Sequence, residues 1–192
     1  MNILWDFDGT LFDTYPALVE GFVKLSERDL DKAEVLKWLK IDSLTAFKHY
    51  GIDESKRPAY KDIDKRYSKE FSTPFEHLES VLSAADHNII VTHRDRESTL
   101  FLLEKFSLEK YFSEIVSVEE QGFNRKPHTA SYEYVLKKYN IDLVVGDREL
   151  DLLPARKLGI KTVAFQNPDI EADLHLDSYD EFNSIVFNKK SL

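Results

Sequence analysis

The sequence contains no cysteine. Disulfides, thiolate metal sites and a cysteine nucleophile are therefore excluded. It also lacks any excess of positive charge: 26 Lys and Arg stand against 35 Asp and Glu, a formal net charge of -9. A chain with that balance offers no basic field to a phosphate polymer, so neither nucleic acid nor an anionic membrane is expected as its main partner. No apolar run approaches the ~20 residues that cross a bilayer. The N-terminus has no basic stretch followed by an apolar one, and the expectation is a soluble, cytoplasmic protein. Internal repeats and low-complexity segments are also missing. What is present is apolar substance: 42% hydrophobic residues, with 13 Phe and 9 Tyr, over 192 residues. That is enough for one full core, or a core with a small second lobe.

The stretch Ile3-Leu4-Trp5-Asp6-Phe7-Asp8-Gly9-Thr10-Leu11-Phe12-Asp13 organises the rest. Its apolar beginning reads as a buried strand. Asp6 and Asp8 follow at a spacing that puts both side chains on one side of an extended segment. Gly9 permits a sharp turn that a Cβ would resist. Taken alone, the stretch also fits a strand ending in an Asp-Gly hairpin turn. Two neighbouring acids become favourable when a cation sits beside them or one carboxyl stays protonated. Magnesium suits such a place, because it prefers carboxylate oxygens and keeps room for water and phosphate.

From about Tyr15 to Phe71 the spacing is helical. Leu18, Phe22 and Leu25 share one face. Asp31 with Glu34 resembles a capping box, Asp42 offers a second cap, and Gly51 a stop. After Ser72 the pattern alternates. Thr73-Pro74-Phe75-Glu76 reads as a helix start. Apolar runs at 88–92, 114–118, 142–147 and 161–165 read as strands, separated by helices capped at Asp95 and Thr129. The tail from Asp173 to Phe187 gives no clear assignment. Strands alternating with helices imply a parallel sheet with right-handed crossovers. The expected fold is α/β, a Rossmann-like sheet core formed by residues 1–13 and 73–192, with a helical cap inserted at 14–72.

Three strands stop on polar residues: Asp6 and Asp8, then Thr92, then Asp147. In an open parallel sheet the carboxyl ends of the strands line one crevice. Lys126, before Pro127, can reach the same place. Asp151 follows Asp147 by one helical turn. Asp6, Asp8 and Asp147 can hold one magnesium. Thr92 offers a hydroxyl and Lys126 a positive charge to phosphate oxygens. The amides around Gly9 and Thr10 offer more donors. A carboxylate can attack phosphorus to form an aspartyl phosphate.

Asp6-Phe7-Asp8-Gly9-Thr10, Thr92, Lys126-Pro127 and Gly146-Asp147-Arg148-Glu149-Leu150-Asp151, in this order, resemble the haloacid dehalogenase superfamily. The branch that matches is that of the helical-cap phosphatases, similar to phosphoglycolate phosphatases. The resemblance implies that Asp6 is the nucleophile and that Asp8 is the general acid and base. It implies that Thr92 and Lys126 hold the phosphoryl group, that Asp6, the Asp8 carbonyl and Asp147 hold Mg2+, and that Asp151 supports the ion directly or through water. It further implies a cap that closes over the crevice, a small phosphorylated metabolite as substrate, and a monomer or weak dimer.

Some positions depart from that pattern. His93-Arg94 follows Thr92 where the family commonly has Asn and then a small residue or Lys. His93 then joins the phosphate-binding candidates, while Arg94 is either a substrate contact or a surface residue. Arg148 stands where Ser or Thr is usual, and Pro154 falls inside the last helix. Tyr15, Lys40, Lys48 and Arg57 are the cap's candidates for reading the leaving group. The alternatives are a phosphomutase acting on a sugar phosphate and a phosphoacceptor signalling domain. The latter would lack the Asp-x-Asp-Gly-Thr stretch and the helical insert.

Overall fold

A computed structural model of the chain describes residues 1–187, so the last five residues of the expected core lie outside the described residues. Strand β1 (Asn2–Trp5) is central in a parallel sheet, between β4 (His87–Thr92) and β6 (Leu143–Gly146). Beyond them lie β5 (Phe112–Ser117) on one side, and β7 (Lys161–Phe165) and β8 (Leu174–Leu176) on the other. The order is β5-β4-β1-β6-β7-β8. Strands covered on both faces read as unbroken apolar runs, and here their side chains divide alternately between two cores. Ile3, Trp5, Ile90, Val145 and Phe165 enter one. Leu4, Ile89, Val91, Val144 and Ala164 enter the other.

Helices α5 (Leu78–Ala84), α6 (Arg96–Lys105), α7 (Ala130–Leu136) and α8 (Glu149–Lys157) connect these strands. Asp95 caps α6 by accepting the Ser98 N–H at 2.8 Å. Thr129 stands at the head of α7 without capping it, because its hydroxyl donates to Glu133 instead. Pro154 is accommodated within α8.

The chain divides into two compact units, Met1–Phe12 with Pro74–Leu192, and Asp13–Thr73. It passes between them through two short paired strands, β2 (Phe12–Asp13) and β3 (Thr73–Pro74). The helix expected to start at Thr73 is therefore corrected. Thr73 and Pro74 take up strand pairing, and α5 begins only after His77, whose φ is 62°.

The second unit is a helical bundle of α1 (Tyr15–Ser26), α2 (Lys32–Ile41), α3 (Ser43–His49) and α4 (Arg57–Phe71). Phe22 meets Phe47 and Tyr60 edge to face at its centre. Asp31 accepts the N–H groups of Ala33 and Glu34, and Asp42 that of Thr45, so both expected caps form. Lys40 lies 5.1 Å from the centre of the Tyr15 ring. Among the described residues no helix is long and apolar enough to cross a membrane.

Candidate active site

Asp6 and Asp8 stand just past the end of β1, because the turn there folds tightly on itself. The Phe7 carbonyl accepts N–H groups from Thr10, Leu11 and Phe12, and the Gly9 N–H donates to the Phe12 carbonyl at 2.8 Å. Gly9 has φ 79°, the left-handed conformation that a glycine adopts freely. The Gly9 and Thr10 amides are thus engaged inside the turn. The Thr10 hydroxyl lies 3.4 Å from Asp147 Oδ1.

Asp147 follows β6, next to β1 in the sheet, and Asp151 lies in the first turn of α8. Gly146 makes this approach possible. A Cβ placed there would come within 2.6 Å of the Asp151 Cβ. Asp6, Asp147 and Asp151 are all buried, and one carboxylate oxygen from each lies within 4.8 Å of the others.

Lys126 threads into this cluster with its side chain fully buried. Its ammonium donates to Asp6 Oδ1 at 2.6 Å and to the Val91 carbonyl at 3.1 Å, and lies 2.5 Å from Asp151 Oδ1. Burial opposes its charge, but Asp151 and Asp6 outweigh burial and raise its pKa. Burial, reinforced by the charge of Asp151, pushes Asp6 up to about 7. Burial also works against Asp151, yet Arg148 and then Lys126 hold its pKa down at about 2. Two acids compete for one lysine, and the nucleophile candidate is the one left needing a further cation.

The other expected residues converge less uniformly. Thr92 ends β4, and its hydroxyl oxygen accepts the Arg94 N–H at 3.0 Å. Asp8 stands apart from the three-acid cluster. Its Oδ1 receives Arg94 Nε at 2.9 Å and lies 2.8 Å from Nη2. Arg94 is no surface residue: its side chain is 3% exposed. The His93 ring turns to the lysine loop, with Nε2 accepting the Lys126 N–H at 3.0 Å. Burial, with Lys126 and Arg125 nearby, lowers its pKa to about 2 and keeps the ring neutral.

Three residues that sequence reasoning missed hold the backbone of the site. Tyr132 donates to the Asp151 carbonyl and Asn167 to the Asp147 carbonyl, each at 2.7 Å. Tyr179, stacked on Phe165, donates to the Thr10 carbonyl at 2.8 Å. Only Asn167 left a signal. It stands two residues past the apolar run of β7, a polar residue near the carboxyl end of a strand.

The donor set fits a hard divalent cation. Asp6 Oδ2 is buried without a hydrogen-bond partner in the structure, amid oxygen donors of the kind magnesium prefers. A parallel sheet carrying acids, a lysine and a threonine at its carboxyl end defines the class. The chain belongs to the haloacid dehalogenase-like hydrolases, whose family model matches residues 3–165.

Among particular relatives, the pyrophosphatase PpaX of Oceanobacillus iheyensis is 27% identical over 178 residues, covering 85% of this chain and 82% of that protein. A phosphoglycolate phosphatase of Pseudomonas fluorescens is 23% identical over 185 residues, covering 84% and 68%. Among solved structures, a hydrolase of the same superfamily from Geobacter sulfurreducens matches with a TM-score of 0.70. The match is at 23% identity and covers 95% of this chain and 97% of that one; it speaks for the fold.

Proposed function

We propose that the chain is a magnesium-dependent phosphatase that hydrolyses a small phosphorylated metabolite through an aspartyl phosphate on Asp6. The observation that carries this reading is the arrangement around Asp6. One of its oxygens is paired with a buried lysine and the other is buried without a partner. A carboxylate so placed is aimed and desolvated, which favours attack on phosphorus once a cation offsets the charge.

Asp6 attacks phosphorus, and the bond from phosphorus to the leaving oxygen breaks. Asp8 gives that oxygen its proton. Asp8 then takes a proton from the water that attacks the aspartyl phosphate, releasing phosphate and restoring Asp6. Lys126 and the Thr92 hydroxyl hold the phosphoryl oxygens, and Arg94 fixes the orientation of Asp8. Asp6, Asp147 and Asp151, with the Asp8 carbonyl, would hold magnesium, which when bound offsets the charge of the transferring group. The unit Asp13–Thr73 would act as the cap that excludes water and selects the substrate. The relatives' names make pyrophosphate and phosphoglycolate the first substrates to try.

The test is phosphate release from a panel of phosphorylated metabolites, with and without magnesium, beside Asp6→Asn. One or more should be hydrolysed by native protein with magnesium alone, and the variant should be inert. Release of equal speed in chelator, or by the variant, would overturn the mechanism.

A further inference from the structure

We infer that Arg148 is a built-in counter-cation that loosens the grip of the Asp6, Asp147 and Asp151 cluster on a divalent cation. The inference rests on the metal reading proposed above. It concerns a residue to which neither the family match nor the reaction assigns a task.

The geometry is specific. Arg148 Nε lies 3.1 Å from Asp151 Oδ2 and 3.8 Å from Asp147 Oδ1, while Nη2 lies 3.8 Å from Asp6 Oδ1. One guanidinium therefore reaches all three acids. Lys126 already stands against two of them. With all three acids ionised, two cations among three carboxylates leave a single negative charge uncompensated. Cation affinity in oxygen-ligand sites follows the ligand charge count, so this site should hold magnesium more weakly than the same acids without the arginine. Arg148 cannot yield by losing its proton, because a guanidinium stays charged. It can yield only by turning aside. Its side chain is 14% exposed, whereas that of Lys126 is 0% exposed, so the arginine is the cation with a way out.

Helix stability does not explain the residue. Arg148 occupies the N-cap of α8 and makes no side-chain cap hydrogen bond. A cation there faces the positive end of the helix dipole. The position favours Ser, Thr, Asp or Asn on local grounds. The charge is set against the helix and spent on the cluster.

The test is isothermal titration calorimetry of metal-free protein with magnesium chloride at neutral pH and constant ionic strength, joined to thermal melts with and without the ion. Arg148→Ser and Arg148→Gln should bind magnesium roughly tenfold more tightly, the lower end of what changes around ligands achieve. Arg148→Lys, which keeps the charge, should bind magnesium more weakly than either neutral variant. Without metal the two neutral variants should melt below native, and magnesium should raise their melting temperature by more than it raises that of native protein. An arginine serving only as structural support would lower melting with and without magnesium and would leave affinity unchanged or weaker. That result overturns the inference alone. If the neutral variants fold only with metal, folding at magnesium concentrations below those that saturate native protein supports the inference, and failure to fold at any concentration overturns it. If neither native protein nor any variant binds magnesium, the metal reading falls and this inference falls with it.

Discussion

Replacing His93 by Gln should flatten the acid side of the stability profile. The imidazole accepts the Lys126 N–H through Nε2, and burial, Lys126 and Arg125 push its pKa down to about 2. In the unfolded chain the ring takes its proton near its ordinary value of 6.5. The folded value is the lower one, so below pH 6.5 the unfolded chain binds more protons, and stability falls with pH until about pH 2. By about pH 4.5 the ring lies two units below its unfolded pKa, a loss of about 3 kcal/mol for a fully buried group. Its partial exposure reduces this to about 2 kcal/mol. Gln retains an acceptor oxygen for the Lys126 amide and has no proton to gain. Urea unfolding followed by circular dichroism, from about pH 7 to about pH 4.5, measures both proteins. The difference between the two profiles cancels the contribution of Asp6, which titrates in the same range. The variant should lie within about 1 kcal/mol of native at neutral pH and gain about 2 kcal/mol on it by about pH 4.5. Parallel profiles would refute the reasoning, since they would mean that the ring protonates in the folded state as readily as in the unfolded chain.

Asp6→Asn should be inert, yet without metal at about pH 8 it should melt above native protein. Asp6 has a raised pKa, so its ionisation penalises the folded state as pH rises from 3.8 towards 7, and Asn does not ionise. Magnesium should reverse that order, and a variant melting below native in chelator would contradict it. Tyr179→Phe keeps the stack on Phe165, 4.3 Å between ring centres, but leaves the Thr10 carbonyl buried without its donor. It should cost about 1–3 kcal/mol in urea unfolding and lower kcat more than it raises KM. Gly146→Ala forces a Cβ to within 2.6 Å of the Asp151 Cβ, so calorimetry should find weakened magnesium binding, and unfolding a loss of about 1–3 kcal/mol. In the helical unit, Asp31→Ala removes the acceptor for two amides and should cost about 1 kcal/mol by thermal melting.

The central strands were legible because strands buried on both faces are continuous apolar runs, as in Ile89-Ile90-Val91. Strand β8 was not. It is three residues long, carries the exposed His175, and forms at a sheet edge, where no two-sided burial leaves its mark. Thr73-Pro74-Phe75-Glu76 misled because a local capping pattern was outweighed by strand pairing with a partner some sixty residues away in the chain.

At the site, Asp6, Thr92 and Asp147 were readable as polar residues ending apolar runs, and Asp151 as one helical turn from Asp147. The contacts of Arg94 and Arg148 were not readable, because an arginine in a loop is ordinarily solvated; only the fold shows their acids. Tyr132 and Tyr179 were hidden for another reason. They act on backbone carbonyls, and a backbone acceptor has no residue type to look for.

The most direct test of the account is to find where the phosphoryl group is held during turnover. Native protein would be mixed with magnesium and a substrate that it hydrolyses, quenched in acid within the first turnover, and reduced with borohydride, which cleaves an aspartyl phosphate to a homoserine. Peptide mass spectrometry should find that reduced side chain at position 6 alone, and not when magnesium is withheld. Phosphate release at full speed with Asp6 recovered intact at every time point would mean that water attacks the substrate directly, and the account would be wrong at its centre.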